Sequence, residues 1–295
     1  MKFVDTSKLR VGYQEWNPDA QRTIVLLHGW PDSPRCWNEV APRFAQAGWR
    51  VLAPALRGFA PTTFLDAATP RTGQLAALGR DLLEFCDALQ LRRPVLVGHD
   101  WGSRAAANAC GLRADAASHL VMISTGYGTN VPGQSISLEQ ARNYWYHWFM
   151  ATPRGERTVR ADGRAFARIM WDTWAPAGWY RPEEFEATAA AFDNEDWAAV
   201  TLHSYRHRWG HAAGDPDYAA DDAALDPAPV LAVPTLVLHG EADSVNLPAM
   251  SAGKERYFSG RYQRLTLPGV GHFPPREAPA AVAQAILEFL KDEQA

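Results

Sequence analysis

In 94-PVLVGHDWGSRAA-106 a short apolar run, Val95 to Val97, passes through Gly98-His99-Asp100-Trp101-Gly102 into an alanine-rich segment. A β-branched run of that length bounded by turn residues reads as a buried strand, and the alanines that follow favour helix. The predicted local structure is therefore strand, sharp turn, helix, with Asp100 displayed at the middle of the turn. Glycines on both sides permit a backbone too tight for a Cβ. The stretch alone leaves two roles open for Asp100: capping the helix that follows, or standing exposed as a reactive carboxylate. Ser103, three residues on, falls on the helix and is a weaker nucleophile candidate.

The same pattern extends in both directions. Upstream lie 22-RTIVLLHG-29 and 49-WRVLAPAL-56, and downstream 119-HLVMIST-125, each short, branched or Leu-rich, and ending in turn residues. Between them, Thr72 to Leu91 places Leu75, Leu78, Leu82, Phe85 and Leu89 on one helical face. This β-α-β alternation predicts a parallel sheet with right-handed crossovers. From residue 131 to 229 the apolar runs stop and Trp, Ala, Arg and acidic residues recur at helical spacing. The runs 235-TLVLHG-240 and 263-QRLTLPG-269 then resume the strand pattern, and an amphipathic helix over Ala280 to Asp292 closes the chain. The expected organisation is a core of residues 1–130 and 230–295, with a helical cap subdomain at 131–229 whose proline-bearing return linker is 226-DPAPVLAVP-234.

Composition bounds the function. The 295 residues are 47% hydrophobic and 21% charged, enough to bury a substantial core. A net charge of −4 without a Lys/Arg run argues against a nucleic-acid partner. Cys36, Cys86 and Cys110 have no metal-like spacing and read as reduced, buried thiols. With no signal-like start and no membrane-length apolar stretch, the expectation is a cytoplasmic protein that does not engage a membrane. Seven of the twelve tryptophans lie between Trp145 and Trp209, as walls of an apolar site would.

The Gly98-His99-Asp100-Trp101-Gly102 pentapeptide resembles the nucleophile elbow of the α/β-hydrolase family, with Asp where esterases carry Ser. The resemblance implies an α/β-hydrolase fold: a mostly parallel eight-stranded sheet flanked by helices, with a helical cap insertion. It extends along nearly the whole chain in the family's order of nucleophile, acid, histidine. Asp243 in 236-LVLHGEADSVN-246 holds the acid's position after a strand, and His272 in 268-PGVGHFPPREAP-279 holds the base's position before the last helix. The acid used by some relatives after 119-HLVMIST-125 is replaced by Ser124 and Thr125. The segment 28-HGWPDS-33 resembles the family's oxyanion loop, which nominates the backbone N–H groups of Trp30 and Trp101. His28 and His99 are expected to be structural. A carboxylate nucleophile displaces a leaving group at an sp³ carbon to give an alkyl ester, which His272, oriented by Asp243, would then hydrolyse with water.

Aspartate nucleophiles in this family belong mainly to epoxide hydrolases and to haloalkane or haloacetate dehalogenases. In the cap, 144-YWYHWFM-150 and 203-HSYRHRWG-210 resemble segments of both, nominating His147 and Tyr205 as donors to a departing epoxide oxygen, or His147, Trp148 and Tyr205 as a halide cradle. Haloacetate enzymes pair two arginines after the nucleophile, whereas here Trp101 replaces the first and Arg104 remains. The loop pair Trp30-Pro31 matches epoxide hydrolases, so an epoxide is the favoured substrate and a carbon–halogen bond the alternative. A non-catalytic ligand-binding homologue is a third reading. The expected partners are a small apolar or amphipathic organic molecule and water, without metal or organic cofactor, and a homodimer is allowed.

Overall fold

Every apolar run quoted above is a strand in the computed structural model, which describes residues 1–130 and 133–291. Nine strands form one sheet: β1 (Lys2–Asp5), β2 (Leu9–Trp16), β3 (Thr23–Leu27), β4 (Arg50–Pro54), β5 (Thr63–Phe64), β6 (Val95–His99), β7 (His119–Ile123), β8 (Thr235–Gly240) and β9 (Tyr262–Leu267). Eight follow the order β1-β2-β4-β3-β6-β7-β8-β9, and the two-residue β5 pairs with β2. From β4 to β9 all pairings are parallel, while β1, β4 and β5 meet β2 antiparallel. The three added strands, β1, β2 and β5, are ones that the apolar-run reading did not single out. Their alternation is partly polar, and Lys2, Phe3, Asp5 and Arg10 face solvent.

Parallel strands are buried on both faces, and successive side chains alternate between them. Ile24, Leu26, Val51, Val95, Val97, Val121, Ile123, Leu236 and Leu238 pack on one side with α1 (Ala41–Gln46) and the closing helix α12 (Pro279–Lys291). Val25, Leu27, Leu52, Leu96, Leu120, Met122 and Val237 pack on the other with α2 (Leu75–Ala88) and α3 (Trp101–Leu112). The last helix ends at Lys291; its expected final residue, Asp292, lies outside the described residues, as does the expected start of the cap at residue 131.

Among the described residues seven helices come between β7 and β8: α4 (Leu138–Asn143), α5 (Trp145–Ala151), α6 (Pro153–Ala161), α7 (Gly163–Thr173), α8 (Pro182–Ala189), α9 (Trp197–His207) and α10 (Ala219–Leu225). Trp30, beyond the C-terminal end of β3, packs against Tyr146, Phe166, Trp174, Trp197 and Tyr205 of this segment. The segment thus covers the carboxyl ends of the strands, where open α/β sheets place their ligands. The remaining short helix, α11 (Pro274–Glu277), follows His272. Among the described residues no helix is long and apolar enough to cross a membrane, and all three cysteines are buried and free.

Candidate active site

β6 ends at His99, and Asp100 adopts φ 47°, ψ −110° before α3 begins at Trp101. Such a value strains any residue with a Cβ, and strain of this kind persists only where the surroundings enforce it. The enforcement is steric. A Cβ on Gly98 would lie 2.2 Å from the Gly102 carbonyl carbon, and one on Gly102 would lie 2.3 Å from the Leu27 carbonyl oxygen. Only glycine at both positions lets strand and helix approach this closely. The Asp100 side chain makes no hydrogen bond to the helix N–H groups, so it does not cap α3. Ser103 is fully buried, and its hydroxyl is held between Gly98 and Ile123 of the sheet.

The two Asp100 oxygens meet different surroundings. Oδ1 accepts the Trp30 backbone N–H at 3.0 Å, whereas Oδ2 lies 3.9 Å from His272 Nε2, beyond hydrogen-bond range. His272 Nδ1 lies 2.8 Å from Asp243 Oδ2. Because that bond places the proton on Nδ1, the Nε2 lone pair is free, and Nε2 is buried without a protein partner. Asp243 Oδ1 accepts the N–H groups of Val245 and Asn246 at 3.0 and 2.9 Å. Burial opposes the Asp243 charge, but His272 and a hydrogen bond from His239 outweigh it and hold the carboxyl down at about 2. Burial also opposes charging of His272, yet Asp243, with a further contribution from Asp100, raises its pKa above that of an ordinary imidazole.

Trp101 is the first residue of α3, where backbone N–H groups have no partner within the helix. It follows Asp100 directly in the chain, while the Trp30 N–H reaches the Asp100 carboxylate from the loop after β3. His28 accepts the Leu56 N–H and is bonded to Gly29 O, while His99 is bonded to the His272 carbonyl. Burial pushes both imidazoles down to about 4, so both are neutral supports of the loops that carry Trp30 and His272.

From the helical segment, the Trp174 carbonyl accepts the His272 backbone N–H at 3.1 Å, and Tyr205 on α9 meets the elbow at Trp101. Its hydroxyl accepts the Trp101 indole N–H at 3.2 Å, which leaves its own proton free to donate. Burial, reinforced by the Asp100 charge, pushes its phenol well above the ordinary range. His147 on α5 is buried beside the Tyr205 ring, 4.5 Å between centroids. Its Nδ1 accepts the Trp209 indole N–H at 2.9 Å, so Nε2 carries the proton, and that donor has no protein partner. Trp148 is half-buried, and its indole N–H is committed to the Ala141 carbonyl at 2.9 Å.

Four residues that sequence reasoning did not nominate also shape the site. Tyr146 stacks on Trp30 with ring centroids 5.6 Å apart and meets the Tyr205 ring edge to face at 5.3 Å. It stood within the quoted 144–150 stretch, where only the helix's facing could have selected it. His239 lies 3.3 Å from Asp243 and is anchored by Ser251 and the Asn246 carbonyl. Asn246 ties Tyr144 to the Ser124 carbonyl after β7. Arg208, at the end of α9, places its guanidinium 4.4 Å over the Tyr205 ring.

A family model described as alpha/beta hydrolase fold matches residues 22–279. Epoxide hydrolase A of Mycobacterium tuberculosis is 27% identical, with 98% of this chain and 96% of that protein covered. Fluoroacetate dehalogenase of a Burkholderia species is 26% identical, over 91% of this chain and 87% of that protein. A crystal structure of a candidate epoxide hydrolase from Klebsiella pneumoniae superposes with a TM-score of 0.91 at 35% identity, covering 98% of this chain and 96% of that one.

Proposed function

The chain belongs to the α/β-hydrolase family and is an epoxide-hydrolase-like hydrolase, and from that premise we propose that it opens an epoxide through a covalent ester on Asp100. The observation that carries this reading is the inequivalence of the Asp100 oxygens, one on the Trp30 N–H and the other facing an unpartnered imidazole nitrogen.

In the first step Oδ2 attacks the less hindered ring carbon and the C–O bond breaks. The electron pair moves to the ring oxygen, which takes the Tyr205 proton while the free His147 N–H hydrogen-bonds to it. In the second step His272 Nε2 takes a proton from water and the hydroxide adds to the ester carbonyl. The charge developing on Oδ1 is stabilised by the N–H groups of Trp30 and Trp101. Collapse expels the diol oxygen, which takes the proton back from His272, and the proton left on the Asp100 acid restores Tyr205. Asp243 keeps the imidazole oriented and stabilises its charged form. The helical segment acts as a cap that supplies the donors and excludes bulk water.

The structure's donor distribution favours the epoxide over a carbon–halogen bond, because the Trp148 indole, one of three groups nominated for a halide cradle, is used within the helical segment. The test is the intact mass of a His272→Gln variant after exposure to an epoxide and, separately, to a haloalkanoate of similar size. Removing the base traps the ester. Addition of the whole epoxide mass to the peptide containing Asp100 is the expected result. An adduct formed only from the haloalkanoate, without its halogen, overturns it in favour of dehalogenation.

A further inference from the structure

At the end of α9 a buried arginine lies against the face of the proton donor without an acid of its own. Among the described residues Arg208 hydrogen-bonds only to Ser204 one turn back, from Nε to the carbonyl at 3.1 Å and from Nη2 to the hydroxyl at 2.7 Å. These bonds lay its guanidinium 4.4 Å over the Tyr205 ring and 5.6 Å over that of Trp101. Arg57, also buried, grips Asp81 with two hydrogen bonds of 2.6 Å, whereas no carboxylate among the described residues is within ion-pair distance of Arg208. A buried cation of this kind is costly, and burial pushes Arg208 down from the ordinary guanidinium range, although an arginine stays protonated. Its outer side lines a cavity of about 580 Å³, room for water that hydrates the charge without neutralising it.

The charged and titratable groups around Tyr205 come from three elements: Asp100 and Arg104 from the elbow and α3, Tyr146 and His147 from α5, and Arg208 from the end of α9 itself. Burial, with Arg208 and Arg104 adding to it, holds His147 far below the ordinary imidazole range. It stays a neutral hydrogen-bond donor, and the proton for the ring oxygen comes from the phenol. The Asp100 charge opposes ionisation of Tyr205 and the Arg208 charge favours it. When Oδ2 of Asp100 bonds to carbon and the C–O bond of the ring breaks, Asp100 loses its charge, the Tyr205 proton passes to the ring oxygen, and the negative charge reappears on the phenolate.

We propose that Arg208 is a positioning residue for ring opening, a fixed cation that serves as counter-ion to the Tyr205 phenolate formed in that step. Its lack of a carboxylate partner follows from this role, because a permanent partner would cancel the field that the phenol needs. The assignment of the step rests on the epoxide reading above; the pairing of Arg208 with Tyr205 does not.

Two measurements separate the claims. The first replaces Tyr205 by 3,5-difluorotyrosine, which ionises at lower pH than tyrosine, and follows its titration by fluorine NMR with Arg208, Arg208→Lys and Arg208→Met. The Met background raises the titration by at least about one pH unit, a tenfold loss of acidity, and the Lys background stays closer to the parent. A smaller rise, or Lys and Met backgrounds that titrate alike, overturns the pairing. Arg208→Gln, which keeps a donor for Ser204, replaces the Met variant if that does not fold. The second is single-turnover reaction with styrene oxide and with 1,2-epoxybutane, read as enzyme mass after acid quenching. Ester formation falls at least roughly tenfold in Arg208→Met and is partly restored by Lys, while ester hydrolysis stays within about twofold of wild type. A titration that moves while ester formation does not, or an equal loss in both steps, overturns the role in ring opening. No ester on the wild-type enzyme from either compound overturns the epoxide reading, and the fluorine titration still decides the pairing.

Discussion

His272 must be neutral at Nε2 to accept a proton from water, and its raised pKa means that this form is lost as the pH falls through a value above the ordinary imidazole range. Asp100 is one of the charges that raise it. Ester formation removes that charge, so the base becomes easier to keep neutral in the step that needs it. The corresponding expectation is that His272 titrates at lower pH in Asp100→Asn than in the resting wild-type enzyme, as read by histidine NMR; an unchanged or higher value refutes the coupling. At this scale the sequence was legible wherever a residue's position along the chain determines its role. Asp100, Asp243 and His272 each follow a strand, and the structure brings them together. Tyr146 and His147 are chain neighbours on one seven-residue helix, both buried, and periodicity does not rank two adjacent residues whose surroundings come from other helices. Arg208 was hidden for a related reason: its place over the Tyr205 ring comes from how the end of α9 packs, which periodicity does not show.

The elbow is an element-scale device, since strand β6, Asp100 and helix α3 hold their angle through two glycines. Gly102→Ala places a methyl against the Leu27 carbonyl, in a region where neither strand nor helix can retreat. It should cost roughly 3 kcal/mol or more, or leave the protein insoluble; denaturation within about 1 kcal/mol of wild type would show that strand and helix can move apart at this point. Elements were legible in proportion to their burial. The parallel strands β3, β4, β6, β7 and β8 are continuous apolar runs because both faces are covered. β2 carries its signal as Leu9, Val11 and Tyr13 at every second position, a pattern interrupted by Arg10 and Gly12 and read only when alternation is sought. β1 is four largely exposed residues at an edge, and nothing in Lys2–Asp5 distinguishes it from a solvated terminus.

Across the whole molecule, Arg276 joins three regions that must stay in register. It bonds Asp32 of the Trp30 loop at 2.7 and 2.9 Å, Glu184 of α8 at 3.0 Å and Thr188 at 2.9 Å, and it lies four residues beyond His272. The Asp32 side chain is 1% exposed. Removing one member of such a pair strands a buried charge, so Arg276→Met should destabilise by about 3–5 kcal/mol. Adding Asp32→Asn should recover part of the loss. Chemical denaturation of the single and double variants decides it, and a single variant as stable as wild type would make the link ornamental. No local sequence pattern connects residues 32, 184 and 276, which is why the long-range ties between helical segment and sheet were the least legible part of the fold.

The Trp30 N–H fixes one Asp100 oxygen and leaves the other to react, and this has an isotopic consequence. In the proposed cycle the reacting oxygen departs with the product, and an oxygen from water takes its place on the enzyme. The oxygen held by Trp30 is never exchanged unless the carboxylate turns over in its pocket. After many turnovers in water labelled with heavy oxygen, the peptide containing Asp100 should carry one heavy atom, not two, and the first product released should carry none. A second heavy atom would mean that the carboxylate rotates between cycles, making the two oxygens interchangeable on the timescale of catalysis.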